Sequence, residues 1–321
     1  MEKLFGAHKI MKHTILGAGG SIGNVLTYEL LKNGQSVRLV SRSKYQINGA
    51  DSFKADITSF NETFESVKGS DIVYLCAGLP YDYRIWVELW PKIMKNAIDA
   101  CIKAKTKLVF FDNVYMYGKV DGKMTESAPY NPVSRKGEVR AKIANMLETE
   151  IEKGNIQAII ARAADLYGPH ITKTSMVYVL VIEKLMHGKS AQWMLDITKP
   201  HSFTYTVDCA KGLYLLTSKE DTFNQIWHLP TFNPAINLKT FIELVADELG
   251  INPKYSVLKK WMVKSAGVFD KKASKLYEML YQYEFDYYFD SSKFNEYFNY
   301  KPMPYGEGIK ETVLFVKNSA L

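Results

Sequence analysis

Three glycines in the stretch TILGAGGSIGNVL (residues 14–26) constrain the fold of this 321-residue chain more than any other feature. Gly17, Gly20 and Gly23 follow an apolar run, and the residues after them carry apolar side chains at helical spacing. The first glycine permits a sharp turn out of a strand, the second lets a phosphate approach the backbone, and the third lets the helix pack closely on the sheet. The helix amides then face the phosphate, so the sequence predicts a dinucleotide-binding turn that includes Ser21 and Ile22.

Short apolar strands alternate with helices over the first half of the chain. The predicted strands are 11–16, 36–42, 71–78, 107–113 and 156–162, and the predicted helices are 21–32, 86–104 and 135–153. This alternation predicts an α/β fold of the Rossmann type, a doubly wound parallel sheet with helices on both faces. We expect residues 1–168 to form the dinucleotide-binding domain, with the chain crossing back near 190–230, and residues 169–321 to form mainly a smaller α+β substrate lobe.

The second half of the chain has a different pattern of longer helices, isolated strands and many aromatic residues. The predicted helices are 174–187, 208–217, 238–249, 271–282 and a last one from about Tyr305. The Tyr and Phe residues of the tail are predicted to pack in a core rather than to bind a cofactor.

Composition excludes several classes of protein. The formal charge is +7, but the lysines are spread along the chain and no nucleic-acid-binding module is recognisable, so we expect no nucleic-acid partner. No apolar stretch has the roughly 18 residues needed to span a bilayer, and residues 1–12 lack the apolar core of a signal peptide. We therefore expect a cytoplasmic protein without a membrane partner. Cys76, Cys101 and Cys209 lack the spacing of a zinc site, so no metal is expected.

The end of the second predicted strand indicates which form of the cofactor is bound. An acidic residue about 20 positions after the glycine turn would hold the ribose hydroxyls of NAD, but this chain has Ser41, Arg42 and Ser43 there. A guanidinium is a permanently charged, bidentate partner for the 2′-phosphate of NADP. We therefore expect NADP in preference to NAD, the alternative being that Arg42 only faces solvent.

Several segments in sequence order extend this pattern to nearly the whole chain. After the glycine turn come KADIT with Asp56, DIVYLCAG, KLVFFDNVYMYG, RAADLYGP and HSFTYTVDCAKG. This set resembles the extended and atypical short-chain dehydrogenases/reductases, the NAD(P)-dependent epimerase/dehydratase family. The resemblance implies an oxidoreductase or epimerase/dehydratase with a small-molecule substrate. It also implies a homodimer as one oligomeric state open to the protein. It also implies adenine contacts at Asp56 and Ile57, and contacts along the cofactor at Cys76, Ala77 and Gly78.

The residues that catalyse the usual reaction of this family are replaced. The family uses a Tyr and a Lys four residues apart on a helix, together with a Ser, and this chain has Lys136, Arg140 and Asn113 there. In one interpretation Lys136 is the proton donor and Asn113 binds the substrate oxygen. In the other, Lys136 and Arg140 lie on a cofactor-binding or solvated face and the reaction has been lost. The phenol of Tyr115 could also supply a proton.

Two further replacements concern the substrate. His201 stands where members that use sugar nucleotides have an Arg that pairs with diphosphate, and Asp165 replaces a more frequent Asn. Both are candidate substrate-binding residues, although His201 could be only a hydrogen-bonding residue at a strand edge and Asp165 could cap its loop. The preferred function is hydride transfer with a carbonyl or hydroxyl compound. The alternative is an NADP(H)-binding sensor or protein-interaction module without turnover.

Overall fold

A seven-stranded parallel sheet forms the centre of the molecule, in a computed structural model that describes residues 10–171, 174–269 and 275–319. The strands are β1 Lys12–Leu16, β2 Ser36–Ser41, β3 Asp51–Lys54, β4 Ile72–Leu75, β5 Lys107–Asp112, β6 Ala158–Arg162 and β7 Gln225–His228. Their spatial order is β7-β6-β5-β4-β1-β2-β3, and every neighbouring pair is parallel. The strand order reverses between β1 and β4, which is where dinucleotides bind in open α/β sheets.

Helices cover both faces of this sheet, as predicted. The helices are α1 Ser21–Lys32, α2 Phe60–Val67, α3 Tyr83–Ala104, α4 Arg135–Glu152, α5 Glu183–Met186, α6 Thr206–Thr217, α7 Leu238–Leu249, α8 Lys260–Phe269, α9 Ser292–Tyr297 and α10 Tyr305–Ser319. Ile15 packs into the core under α1 and α6, whereas the next residue, Leu16, packs into the core under α3 and α4. Because successive strand residues point to opposite faces, apolar residues at both positions bury both faces of the sheet.

Polar N-caps start several of the helices that the sequence predicts. Asp82 accepts from the N–H of Arg84 at the start of α3, Ser134 accepts from the N–H of Gly137 at the start of α4, and Asn237 caps α7 in the same way. Each cap satisfies an amide that has no partner within the helix. The starts of α4 and α7 therefore fall where their local sequences place them.

Short two-stranded sheets and a third core build the C-terminal part. The paired segments are Asp165–Tyr167 with Phe203–Tyr205, Ala191–Met194 with Tyr255–Leu258, Pro200–His201 with Ile236–Asn237, and Lys123–Met124 with Tyr288–Phe289. Aromatic side chains fill this core, with the ring of Phe241 4.9 Å from Phe203 and 5.7 Å from Tyr167. Of the tail residues for which packing was predicted, Tyr305 lies in this core, and Phe289 and Phe294 are buried in two other hydrophobic clusters.

Some predicted elements differ from the structure. The predicted helix 174–187 is a π-helix at Tyr178–Ile182 followed by the single turn of α5. The predicted helix 271–282 overlaps residues 270–274, which lie outside the described residues, and Leu280–Tyr283 forms a 3₁₀-helix. The elements β3, α2 and β7 were not predicted. Among the described residues, no helix is long and apolar enough to cross a membrane.

Candidate active site

The glycine turn lies at the point where the strand order reverses. Gly17 has φ +93°, and a Cβ there would lie 2.3 Å from Cα of Ala77, so the turn requires glycine. A Cβ on Gly20 would meet no atom of this chain closer than 3.8 Å, which leaves space beside the backbone. Gly20 is also the N-cap of α1 and offers its first turn no side-chain acceptor. This cradle fits a pyrophosphate, and it brings together the residues predicted for it: Gly17, Gly20, Ser21, Ile22 and Gly23.

The carboxyl end of β4 lies directly against this turn. The N–H of Cys76 donates to the carbonyl of Leu16 at 3.0 Å, and Ala77 is the residue that contacts Gly17. Gly78 has open space where a Cβ would be. The structure thus places these predicted residues along the same edge of the sheet. Burial raises the pKa of the Cys76 thiol to about 12, so this cysteine stays protonated at neutral pH.

The predicted adenine and ribose residues lie at the neighbouring ends of β2 and β3. Arg42 is exposed, whereas the hydroxyl of Ser41 donates to the carbonyl of Ser43 in its own loop. A hydrogen bond from the Thr58 N–H lowers the pKa of Asp56, and the charge of Arg42 lowers it further. The exposed guanidinium of Arg42 is therefore accessible to a phosphate group of a ligand. The carboxylate of Asp56 is near enough to interact with its charge.

Asn96 of α3 supports the same loop from below the sheet. Its Nδ2 donates to the carbonyl of Ile57 at 3.0 Å. This contact holds the Ile57 backbone at the end of β3, where the resemblance places the adenine. The amide is a positioning group for the loop.

Lys136 lies in the first turn of α4 and is buried. Its Nζ donates to the carbonyl of Lys275 at 2.7 Å and to the carboxylate of Glu278, and it lies 4.3 Å from the ring centroid of Tyr81. Glu278 also accepts from the N–H of Arg135. Glu278 lies 142 positions from Lys136 in a polar context, so the local sequence gives no signal for this pairing.

Arg140 lies one turn further along α4, but its guanidinium points into the core. Its Nε donates to Asp112 Oδ1 at 2.7 Å, and its guanidinium carbon lies 4.6 Å from the ring centroid of Trp90. Arg162 approaches the other oxygen of the same carboxylate, with Nε 3.6 Å from Oδ2. The charge of Arg140 is thus held in a buried Arg–Asp–Arg cluster. A catalytic role for Arg140 stays a prediction.

Asn113 and Tyr115 follow β5, at the edge of the sheet where the glycine turn lies. Asn113 Oδ1 accepts from the N–H of Tyr115 at 3.1 Å, which leaves the Nδ2 group as the donor that Asn113 offers to a ligand. The hydroxyl of Tyr81 donates to that of Tyr115 at 3.4 Å. Burial and, after it, the charge of Asp165 raise the pKa of Tyr115 to about 12. The phenol is therefore neutral at pH 7 and is not activated as a base.

Tyr117 is buried in the loop that follows β5. Its hydroxyl lies 2.9 Å from Nε2 of His228 and accepts from Arg162 at 2.6 Å, and its ring is fully buried. It therefore connects β7 to the loop that follows β5.

Asp165 and His201, the two predicted substrate residues, are brought together. His201 Nε2 donates to Asp165 Oδ2 at 2.9 Å. The imidazole ring stacks on Tyr287, with centroids 4.3 Å apart, and on Tyr283 at 5.5 Å. The pairing of Asp165–Tyr167 with Phe203–Tyr205 aligns Asp165 with Phe203, two residues after His201. Neither segment alone reveals this alignment, so the contact between Asp165 and His201 was not predicted.

Comparisons with known proteins agree with the fold. The model of the NAD dependent epimerase/dehydratase family matches residues 13–228. UDP-glucuronic acid 4-epimerase from Bacillus cereus, in complex with NAD, is 18% identical, covers 97% of this chain and 100% of its own, and has a TM-score of 0.80. A search of curated protein sequences gave no significant match.

Two other solved structures show the same likeness. UDP-glucose 4-epimerase from Thermus thermophilus, a complex with NAD, is 17% identical over 96% of this chain and 100% of its own, with a TM-score of 0.79. The dTDP-glucose 4,6-dehydratase from Bacillus anthracis, in complex with NAD, is 14% identical over 96% of this chain and 97% of its own, with a TM-score of 0.78. At these identities the likeness establishes the fold.

Proposed function

Because the chain belongs to the NAD dependent epimerase/dehydratase family, we propose that it binds NADP(H) at the glycine turn and transfers hydride to or from a carbonyl or hydroxyl compound. The observation that carries this proposal is the cradle at the point where the strand order reverses, which has space beside Gly20 and no side-chain cap on α1. Residues 1–168 would hold the cofactor, and residues 169–321 would mainly hold the substrate. The homodimer expected from the resemblance remains a prediction.

The residues that line the cradle have distinct tasks in this proposal. The amides of the first turn of α1 bind the pyrophosphate, Asp56 and Ile57 face the adenine, and Ala77 and Gly78 lie along the cofactor. A nicotinamide held there would supply the hydride-transfer chemistry. Every other step has to come from side chains of this chain.

Lys136 and Asn113 are the side chains that we assign to the substrate oxygen. The ammonium of Lys136 is buried and held by Glu278, so it is a charged donor beside Tyr81, whose hydroxyl donates to that of Tyr115. It would give a proton to the oxygen, or stabilise its negative charge, as hydride arrives at the carbon. The Nδ2 group of Asn113 would donate a hydrogen bond to the same oxygen.

A second candidate function is binding without turnover, as a sensor of NADP(H) or a protein-interaction module. The ion pairs of Lys136 with Glu278 and of Arg140 with Asp112 favour it, because both charges that replace the catalytic pair have partners within the chain. Incubation with NADPH and a panel of aldehydes, ketones and sugar nucleotides, followed by absorbance of the cofactor, distinguishes the two functions. Turnover of any compound supports the enzyme, and tight cofactor binding without turnover over a broad panel supports the sensor.

Replacing Lys136 with Met is expected to lower turnover of a compound found in this way by about 10² to 10⁴-fold, the usual contribution of a positioned proton donor. The NADPH dissociation constant should change little, because Lys136 contacts Glu278 and Tyr81 rather than the glycine turn. Lys142→Met, an exposed position on the same helix, is the matched control. The double variant Lys136→Met, Glu278→Gln removes the unpaired carboxylate and tests folding by its melting temperature. Unchanged turnover in the folded variant would exclude Lys136 from the reaction.

Cofactor preference is measured by fluorescence titration with NADPH and NADH. We expect Arg42→Ala to weaken NADPH binding about tenfold, the effect of one charge-assisted phosphate contact, and to leave NADH binding unchanged. Lys44→Ala, an exposed residue of the same loop, is the control for a general loss of positive charge. A wild-type protein that prefers NADH contradicts the assignment of NADP.

A further inference from the structure

Asp165, one of the two predicted substrate-binding residues, is a carboxylate that forms no ion pair with a lysine or arginine of the described residues. Its side chain is 25% exposed, and its partner is the imidazole of His201. Three lysines of this part of the molecule are paired with other carboxylates: Lys136 with Glu278, Lys199 with Asp286 and Lys275 with Asp82. The partly exposed carboxylate therefore presents a negative charge to a ligand.

Tyrosines from three segments of the chain lie around this carboxylate. Burial is the main cause that raises the pKa of Tyr115, Tyr283 and Tyr287, and the charge of Asp165 is the next. These hydroxyls are therefore close enough to the carboxylate to be affected by its charge. Tyr81 hydrogen-bonds Tyr115. Because these pKa values are raised, the hydroxyls stay neutral and add no charge to the cleft.

Tyr287 gives a second, independent sign of a ligand. The residue is 6% exposed, its ring stacks on His201, and its hydroxyl has no hydrogen-bond partner in the part of the chain that the structure describes. A buried hydroxyl without a partner destabilises the protein unless a bound group forms the missing hydrogen bond.

This arrangement is poorly suited to a diphosphate. Phosphates are recognised by Arg or Lys, often through bidentate hydrogen bonds, and the residue at the place of the diphosphate-binding Arg is a His that already donates to Asp165. A phosphate at this position would be repelled by the negative charge of the Asp165 carboxylate. A protonated amine would instead pair with Asp165, donate to tyrosine hydroxyls and contact aromatic rings.

We propose that the cleft takes an amine-bearing alcohol or carbonyl compound without a diphosphate, and that Asp165 is the counter-ion of its ammonium group. The proposal rests on the function proposed above and specifies its substrate class. His201, between the tyrosine rings, is a positioning residue that orients the carboxylate. The negative charge of Asp165 would make the site specific for cationic compounds, because the same carboxylate repels anionic ones.

Benzylammonium and benzyl alcohol are matched probes, since they share a ring and differ in charge at neutral pH. Calorimetric titration of the protein, with and without NADPH, is expected to show benzylammonium binding about tenfold more tightly than benzyl alcohol, and Asp165→Asn is expected to remove the difference. Asp286→Asn, which removes a carboxylate already paired with Lys199, is the control and should keep the preference.

Two results would overturn the proposal. One is equal binding of the two probes to the wild-type protein, and the other is UDP-glucose binding more tightly than benzylammonium in competition with it. An unchanged NADPH affinity in Asp165→Asn shows that the variant is folded. If NADPH does not bind to the wild-type protein, the proposed function fails, while the titration without cofactor still decides the charge preference of the cleft.

Discussion

Replacing Asp112 with Asn is expected to lower the free energy of unfolding by about 3–5 kcal/mol, the usual cost of breaking a buried ion pair by removing one partner. The Asp112 side chain has no exposed surface and receives Arg140 on one oxygen and Arg162 on the other side. The amide is nearly isosteric but neutral, so two buried guanidinium groups lose their counter-charge. Arg162 keeps its hydrogen bonds to the hydroxyls of Tyr117 and Tyr130, but neither of these phenols carries a charge at neutral pH.

Urea denaturation followed by circular dichroism measures this loss. Asp121→Asn is the matched control, because Asp121 is 95% exposed and its nearest cation, Lys119, is 3.6 Å away. Surface pairs of this kind contribute about 0–1 kcal/mol. A loss of stability in Asp112→Asn as small as that of the control would show that the buried cluster does not depend on its carboxylate charge.

Replacing Gly20 with Ala is expected to weaken cofactor binding about a hundredfold, or about 2.7 kcal/mol, while the free protein keeps its stability. Gly20 has φ −81°, and its new Cβ would meet no protein atom closer than 3.8 Å, so alanine fits in the absence of cofactor. The methyl group would occupy the space through which a pyrophosphate approaches the backbone. The melting temperature without cofactor and the NADPH titration measure the two effects separately.

Two other glycines complete this test. At Gly306, in the first turn of α10, a Cβ would also lie in open space, so Gly306→Ala should leave NADPH binding unchanged and should not lower the melting temperature. At Gly17 the Cβ would collide with Ala77 in a backbone conformation that disfavours alanine, so Gly17→Ala should reduce stability itself. Normal NADPH and NADH binding by a stable Gly20→Ala protein would mean that the cofactor binds elsewhere.

The glycine turn and the sheet could be predicted because their signals are local. Apolar runs at strand spacing, glycines at fixed offsets and polar residues at helix starts each lie within a few residues of one another. The strand β3 was missed because it is a short edge strand whose two end residues, Asp51 and Lys54, are exposed, so it lacks an apolar run.

The chemistry of the site could be predicted only in part, because long side chains can diverge from one helix face. Lys136 and Arg140 are four residues apart, which places them on the same face of α4. In the structure the ammonium of Lys136 meets Glu278, and the guanidinium of Arg140 turns to Asp112. Both partners are distant in sequence, so the spacing predicted which helix face these residues occupy but not which carboxylates they pair with.

The position of β7 at the edge of the sheet determines when this fold can be completed during synthesis. The chain leaves the sheet after β6 and returns to pair with that strand only at Gln225–His228. Until the ribosome has released these residues, β6 has an unpaired edge, and Tyr117 lacks the imidazole of His228. The residues of the cofactor cradle are synthesised before β7. The sheet that supports the cradle is therefore completed only after Asp165 and His201 have also been synthesised.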